Sequence, residues 1–236
     1  MIYRGSDPAC DGLQRRRAVL SHATLLRDGT PLEIETLARY TAVHTHRAGS
    51  ELIAQDAAAT AIFFIGYGRV RLTLLGDSGR QLTVCDLDRG DSFGESAILE
   101  GGRYSTGAVA LEEVFLLAVP RDAFVAYAQR HPAAAFRLAV EQTQRLSTAN
   151  QQLAEMAMSS VEARVAHTLK RLADHDGIAV STGVLLRRRV THQELAQMAG
   201  TSRETVTRTV AGMSRRGLVV AREGRIVLTP ALLAQP

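Results

Sequence analysis

The spacing of hydrophobic positions changes twice along the chain, and each change marks a different kind of structure. From about Leu32 to Val119 apolar residues come in short runs broken by glycine turns. The segment 61–75 reads as strand-like runs broken at Gly66 and Gly68. Segment 76–96 turns at Asp77-Ser78-Gly79, continues through Leu82, Val84 and Leu87, and turns again at Arg89-Gly90-Asp91. Segment 106–119 reads as another pair of short strands. Many short strands with glycine turns predict a β-roll or barrel. Residues 1–20 mix Gly, Pro, Asp and Arg without a period and read as a ragged extension.

From Pro132 to Met158 the texture becomes helical, with no Gly or Pro after the first residue. Proline suits a first helical turn. Phe136, Ala139, Thr143, Leu146, Asn150, Leu153 and Ala157 repeat at three-and-four spacing, an a/d seam of nearly three heptads. Such a helix is about 40 Å long at 1.5 Å per residue, long for a small domain to cover. Asn150 falls at an a position, where a polar side chain sets register and oligomer state. The pattern predicts a parallel dimer helix. Val161, Val165, Leu169 and Leu172 continue as a further helix over 161–173, followed by a loop over 174–183. The expected organisation is an extension (1–20), a β-roll (21–131), a dimerisation helix (132–158) and a C-terminal unit (159–236) whose role its own local pattern sets.

The sharpest local pattern lies at 191–220. Two helical stretches flank Ala199-Gly200-Thr201, with Gly200 where a turn wants positive φ. Small Ala196 lets two helices cross closely, and Leu195, Ala199, Val206 and Val210 are spaced to close a core between them. Ser202 or Thr201 can cap the second helix, and Glu204 in its first turn suits the helix dipole. Its opening turns present Ser202, Arg203, Glu204, Thr207 and Arg208. Arginine pairs bidentately with guanine, and glutamate accepts from cytosine N4. A recognition helix carries such groups at its N-terminal end, which enters the major groove. Downstream, strands at 218–222 and 225–229 turn at Glu223-Gly224, which makes a winged helix-turn-helix. Arg222 and Arg225 flank that tip, where they can touch phosphates.

Charge supports the same reading. The 236 residues carry a formal net charge of +4, but residues 159–236 alone hold 12 basic and 6 acidic side chains. The surplus sits where a polyanion would bind. Every basic residue but Lys170 is arginine. No run of about 18 apolar residues is present, which argues against a membrane span. No apolar stretch follows Arg15–Arg17, which argues against a signal peptide and for a cytoplasmic protein. Cys10 and Cys85 are too few for a disulfide framework or an iron–sulfur sensor. No haem ligand stands out; Cys85 and His44 are weak candidates.

The order of β-roll, long helix and winged helix-turn-helix resembles the catabolite activator and fumarate–nitrate reduction regulator (Crp–Fnr) superfamily over about residues 30–230. The expected class is α+β. The stretch QELAQMAGTSRETVTR is similar to the branch whose recognition helix reads a TGTGA-type half-site. The resemblance implies base reading by Arg203, Glu204 and Arg208, and places Thr191 and Ser202 near phosphates. It also implies double-stranded DNA, a second copy and RNA polymerase as partners, the polymerase near 174–183. In the roll, segments 46–55, 63–72 and 88–96 match the family's turn pattern.

Cyclic-AMP-binding members hold the nucleotide in a Gly-Glu pair, a short helix and an Arg-Ser/Thr-Ala run. Gly94 and Glu95 match, and Glu95 is placed to take a ribose hydroxyl; backbone N–H groups at Ser96 and Ala97 can face an anion. Ser105 stands at the arginine position, Thr106 follows it, and Arg103 lies two residues earlier. The adenine positions fall near Ala149 and Asn150, so one hydroxyl is missing. Loss of the arginine removes a charge-assisted bond of about 1.5–3 kcal/mol, roughly tenfold or more in affinity. Cyclic AMP is therefore one candidate effector beside another ligand or none, and no cofactor is required.

One alternative comes from a different class. His44-Thr45-His46 followed by Glu51 imitates the metal motif of cupin enzymes, but the stretch matching their second motif, 90–102, has no histidine. Neither a metal site nor a catalytic constellation is expected.

Overall fold

The computed structural model describes residues 8–77, 79–100, 102–222 and 225–235. It divides into two compact units, 1–146 and 147–236.

The first unit opens with α1 (Pro8–His22), a 3-10 turn at Thr24–Leu26 and α2 (Pro31–Arg39). Eight strands follow: β1 (Ala42–His46), β2 (Glu51–Ile53), β3 (Ala61–Tyr67), β4 (Val70–Leu75), β5 (Gln81–Leu87), β6 (Ser92–Phe93), β7 (Gly107–Ala110) and β8 (Val114–Pro120). A short helix, α3 (Glu95–Glu100), separates β6 from β7, and α4 (Arg121–Arg130) follows β8. The strands form two antiparallel sheets, ordered β1-β8-β3-β6 and β2-β7-β4-β5. Both contribute to one apolar core containing Ile65, Val70, Leu72, Phe93, Ala108 and Leu116. This is the β-roll.

The first sheet is covered on its other face as well. Ile62, Phe64, Leu117 and Val119 point the opposite way from Ile65 and Leu116 and pack with Leu20, Leu25, Leu26, Ile34 and Leu37. That explains why β3 reads as a continuous apolar run rather than a strict alternation. It also corrects the expected ragged extension. Of that segment, 1–7 lie outside the described residues, and from Pro8 onward the chain is helical. Leu13, Val19 and Leu20 join the core beneath it, and the Arg15 guanidinium sits 3.9 Å from the Phe115 ring centre. The segment has no clear apolar stripe, and packing rather than local pattern supports the helix.

One turn detail differs from expectation. Gly66 lies inside β3 rather than breaking it, and the chain turns at Gly68, with φ +84°. A β-carbon on Gly68 would meet the Glu113 carbonyl oxygen at 2.3 Å, so the position excludes a side chain. The other expected turn includes Ser78, which lies outside the described residues.

Helix α5 (Pro132–Met158) carries the chain from one unit into the other, the division falling between Leu146 and Ser147. Ala134 and Leu138 are buried. The seam residues Phe136, Ala139, Thr143, Leu146, Asn150, Leu153 and Ala157 are all exposed, Phe136, Leu146 and Leu153 by 61–71%.

The second unit continues with α6 (Val161–Asp176), β9 (Gly177–Val180), β10 (Gly183–Leu186), α7 (His192–Ala199), α8 (Arg203–Arg215), β11 (Val219–Arg222), β12 (Arg225–Leu228) and α9 (Pro230–Leu233). The expected loop at 174–183 is instead the end of α6 and a hairpin. Strands β9 and β10 join β11 and β12 in one antiparallel sheet ordered β11-β12-β10-β9. At four residues, β9 is too short to show an alternating pattern. The expected wing turn, Glu223-Gly224, lies outside the described residues.

Candidate functional site

The second unit builds its exposed site on α7 and α8. Thr191 caps α7 reciprocally: its hydroxyl accepts from the Glu194 N–H at 3.1 Å, and the Glu194 carboxylate accepts from the Thr191 N–H at 2.7 Å. Arg188 donates to the other Glu194 oxygen at 2.8 Å. Burial alone would raise the Glu194 pKa; the bonds from Thr191 and Arg188 outweigh it and hold the carboxyl below its ordinary value. Helix α7 then stops at Gly200, left-handed at φ +60°, ψ +47°. The Ser202 hydroxyl restarts the chain by accepting from the Thr205 N–H at 3.2 Å. Leu195, Ala196, Ala199, Val206, Val210 and Met213 are buried between the helices.

Gly200 is the joint of this turn. Gly200→Ala is expected to lower the stability of the second unit by about 1–2 kcal/mol, since an L side chain is strained there. Gly200→Asn is expected to cost less, because asparagine tolerates the left-handed region. Equilibrium denaturation of the two variants checks the order, and equal losses would contradict it.

With the turn fixed, Arg203, Glu204 and Arg208 stand exposed on the opening turns of α8. Among the described residues neither arginine pairs with a carboxylate. The Glu204 pKa is lowered by its own backbone N–H and the Ser202 side chain, with Arg203 and Arg208 adding to the effect. It is therefore an ionised acceptor at neutral pH. The Thr207 hydroxyl is occupied internally, donating to the Arg203 carbonyl at 2.9 Å and bonded to His192 Nδ1 at 2.8 Å. Thr191 and Ser202 likewise spend their hydroxyls as helix caps. Arg222 ends β11, and Arg225 is exposed at the start of β12.

Arg164 of α6 was not singled out by the sequence. Its guanidinium donates to the Ala199 carbonyl and to the Ser159 carbonyl, each at 2.9 Å. It thus ties the end of α7 to the residue that follows α5. His192 was also missed, because its partner lies 15 residues away.

The candidate effector residues divide between the units. Gly94, with φ +89°, leads into Glu95, whose side chain is only 1% exposed. Glu95 Oε1 accepts from Arg145 at 2.6 Å and from Gln142 at 3.0 Å, both on α5, and Arg145 also donates to the Ser92 carbonyl at 2.7 Å. Glu95 Oε2 is buried with no hydrogen-bond partner among the described residues. Ser96 is exposed and Ala97 buried; Ser105 is exposed and Thr106 half-buried. Arg103 points elsewhere, donating to the Asp56 carbonyl. Asn150 belongs to the second unit and is exposed. Gln142 and Arg145 were not expected here, since nothing local links them to a residue about 50 positions earlier.

These residues fit a hydroxyl donor at Glu95 Oε2. They do not supply the cation a phosphate wants near Ser105. The Arg145 guanidinium beside Glu95 is committed to that carboxylate. Cys85, on β5, is pushed by burial to a pKa of about 11 and remains a thiol at neutral pH. His44 and His46 lie on β1 with their rings stacked at 6.1 Å. Among the described residues no group of three or more His, Cys, Asp or Glu is placed to hold a metal, and no helix is long and apolar enough to cross a membrane.

Comparison with known proteins matches both units. Residues 43–131 match the cyclic nucleotide-binding domain, and residues 163–235 match the Crp-like helix-turn-helix domain. The chain belongs to the Crp–Fnr superfamily. The cyclic AMP receptor protein of Thermus thermophilus is 31% identical over 205 residues, spanning 87% of this chain and 92% of that one. A CRP-like cAMP-activated global transcriptional regulator of Mycobacterium tuberculosis is 27% identical over 210 residues, spanning 89% and 93%. Among solved structures, a CRP-family regulator of Thermus thermophilus has a TM-score of 0.66 at 26% identity, covering 80% of this chain and 94% of that one. The c-di-GMP responsive global regulator CLP of Xanthomonas campestris has a TM-score of 0.77 at 20% identity, covering 85% and 99%, a likeness of fold. This Crp–Fnr member is an α+β transcription regulator with a cyclic-nucleotide-binding-type roll, and it is not an enzyme. The cupin-like alternative is thereby overturned.

Proposed function

We propose that this Crp–Fnr regulator acts in the cytoplasm as a homodimer that binds a TGTGA-type palindrome in double-stranded DNA. The observation that carries this is the exposed trio Arg203, Glu204 and Arg208 on the opening turns of α8, held by a capped, glycine-closed turn. Two arginines able to pair with guanine and an ionised glutamate able to accept from cytosine are what such a half-site needs. The dimer is supported by the uncovered seam on α5: large apolar side chains at helical spacing are left exposed along it, while Ala134 and Leu138 near its start are buried. Two copies on a palindrome must present their recognition helices one DNA turn apart, about 34 Å. Thr191, Ser202, Thr207, Arg222 and Arg225 serve as backbone-contact and positioning residues, and segment 174–183 faces RNA polymerase.

The effector question turns on Ser105. Without an arginine there, DNA binding is either constitutive or gated by a ligand other than a cyclic phosphate. A second reading, as a cyclic AMP receptor, is favoured by the unpartnered Glu95 oxygen and by the names of the relatives. Any such ligand must bind the DNA-competent arrangement better than the alternative.

The test is binding to a TGTGA-N6-TCACA duplex at fixed salt, with and without cyclic AMP. Tight binding without nucleotide is the expected result. A large gain with nucleotide would favour the second reading. Absence of specific binding in both conditions would overturn the half-site assignment.

A further inference from the structure

One polar group on the DNA-facing surface has no part in the functions assigned so far. His192, the first residue of α7, is half-buried, with its Nδ1 2.8 Å from the Thr207 hydroxyl of α8. A threonine hydroxyl has a single hydrogen to give. Thr207 gives it to the Arg203 carbonyl at 2.9 Å. With its hydrogen on that carbonyl, Thr207 accepts from His192, whose Nδ1 then carries the proton. In this arrangement Nε2 is the variable atom. In the neutral ring Nε2 is a bare lone pair; in the imidazolium it is an N–H donor with a positive charge.

The surroundings say what that donor would meet. Thr207 lies one turn beyond Arg203 on α8, the helix that carries the proposed base readers. Near His192 in sequence are Arg187, Arg188 and Arg189 on the connection before α7, and α8 carries Arg203, Glu204 and Arg208. Glu194, on its own helix, is already engaged by Arg188 and Thr191. Arg164 of α6 is directed at Ala199, the opposite end of α7. A cationic ring in this basic segment gains a partner once a polyanion lies across it.

We propose that His192 is a proton-dependent contact to the DNA backbone, its Nδ1–H held by Thr207 and its Nε2–H, when present, donated to a phosphate oxygen. This rests on the reading of α8 as a recognition helix. Binding then takes up a proton at each half-site. The sign follows: binding takes up protons, so affinity is highest at low pH and falls as pH rises. The steepest fall is about tenfold per pH unit for each half-site, one proton being taken up at each.

The experiment measures dissociation constants for the TGTGA-N6-TCACA duplex from pH 5.5 to 8.5 at constant ionic strength, in the nucleotide condition that gives binding. It compares the natural protein with His192→Gln and His192→Arg. Proton uptake is read separately by calorimetry in two buffers of different ionisation enthalpy. The natural protein is expected to lose affinity with rising pH and to take up protons. His192→Gln should be weak at low pH and flatter, and His192→Arg tight and flatter, each taking up one proton fewer per half-site. The arginine variant keeps the test decisive if the glutamine variant unfolds. Identical pH profiles and proton uptake in all three proteins would overturn the proposal. Absence of specific binding by the natural protein at every pH would instead overturn the recognition-helix reading beneath it.

Discussion

Alanine at Arg203 or at Arg208 is expected to weaken binding to a TGTGA-type palindrome by about 1–3 kcal/mol, roughly five- to 150-fold. Both side chains are exposed on the opening turns of α8. Arg208 reaches the Thr205 hydroxyl only at 3.4 Å, a contact too weak to hold it back from a base. Their removal thus costs the folded protein little and the complex much. The loss should be selective: binding to a duplex of unrelated sequence should fall less, because base contacts specify while phosphate contacts position. Arg215→Ala, in the last turn of the same helix, provides the control and should change specific affinity little. A gel-shift or fluorescence titration at fixed salt checks all three. If Arg203→Ala and Arg208→Ala both retain full affinity and selectivity, α8 is not the reading helix.

The second large effect is expected in the roll. Arg145→Ala should destabilise the first unit by about 3 kcal/mol, the low end for breaking a buried ion pair. The low end applies because the Arg145 side chain is 29% exposed, whereas that of Glu95 is 1% exposed. The cost comes from Glu95, left as a buried carboxylate with Gln142 as its remaining donor. Loss of the bond to the Ser92 carbonyl adds to it. Glu95→Gln in the Arg145→Ala background removes that uncompensated charge and should recover much of the loss. Denaturant unfolding of the whole chain, followed for the roll, measures both. A change below about 1 kcal/mol for Arg145→Ala would mean that water already carries the Glu95 charge. The pair also joins α5 to the turn at Gly94 and Glu95.

The sequence by itself determined the features whose physics is local. The helix-turn-helix was legible because its parts lie within a few residues of one another. Thr191 and Ser202 cap helices that begin one position later, and Gly200 supplies the left-handed turn between them. The strands β3, β4, β5, β7 and β8 were legible from short apolar runs and from turns such as Gly68 and Gly90. The α5 seam was legible because a 27-residue helix keeps one spacing long enough to be counted.

Tertiary structure decided what depends on contacts across the sequence. Helix α1 carries no clear stripe, and its order comes from burying Leu20 against β3. The hairpin at 177–186 exists because β10 pairs with β12 as well as with β9. The Arg145–Glu95 pair spans 50 residues and the His192–Thr207 bond 15, so neither leaves a periodic trace. Hydrophobic spacing reports which face of an element is buried. It does not report which polar group a buried charge will find, because that depends on where the folded chain brings a donor within about 3 Å.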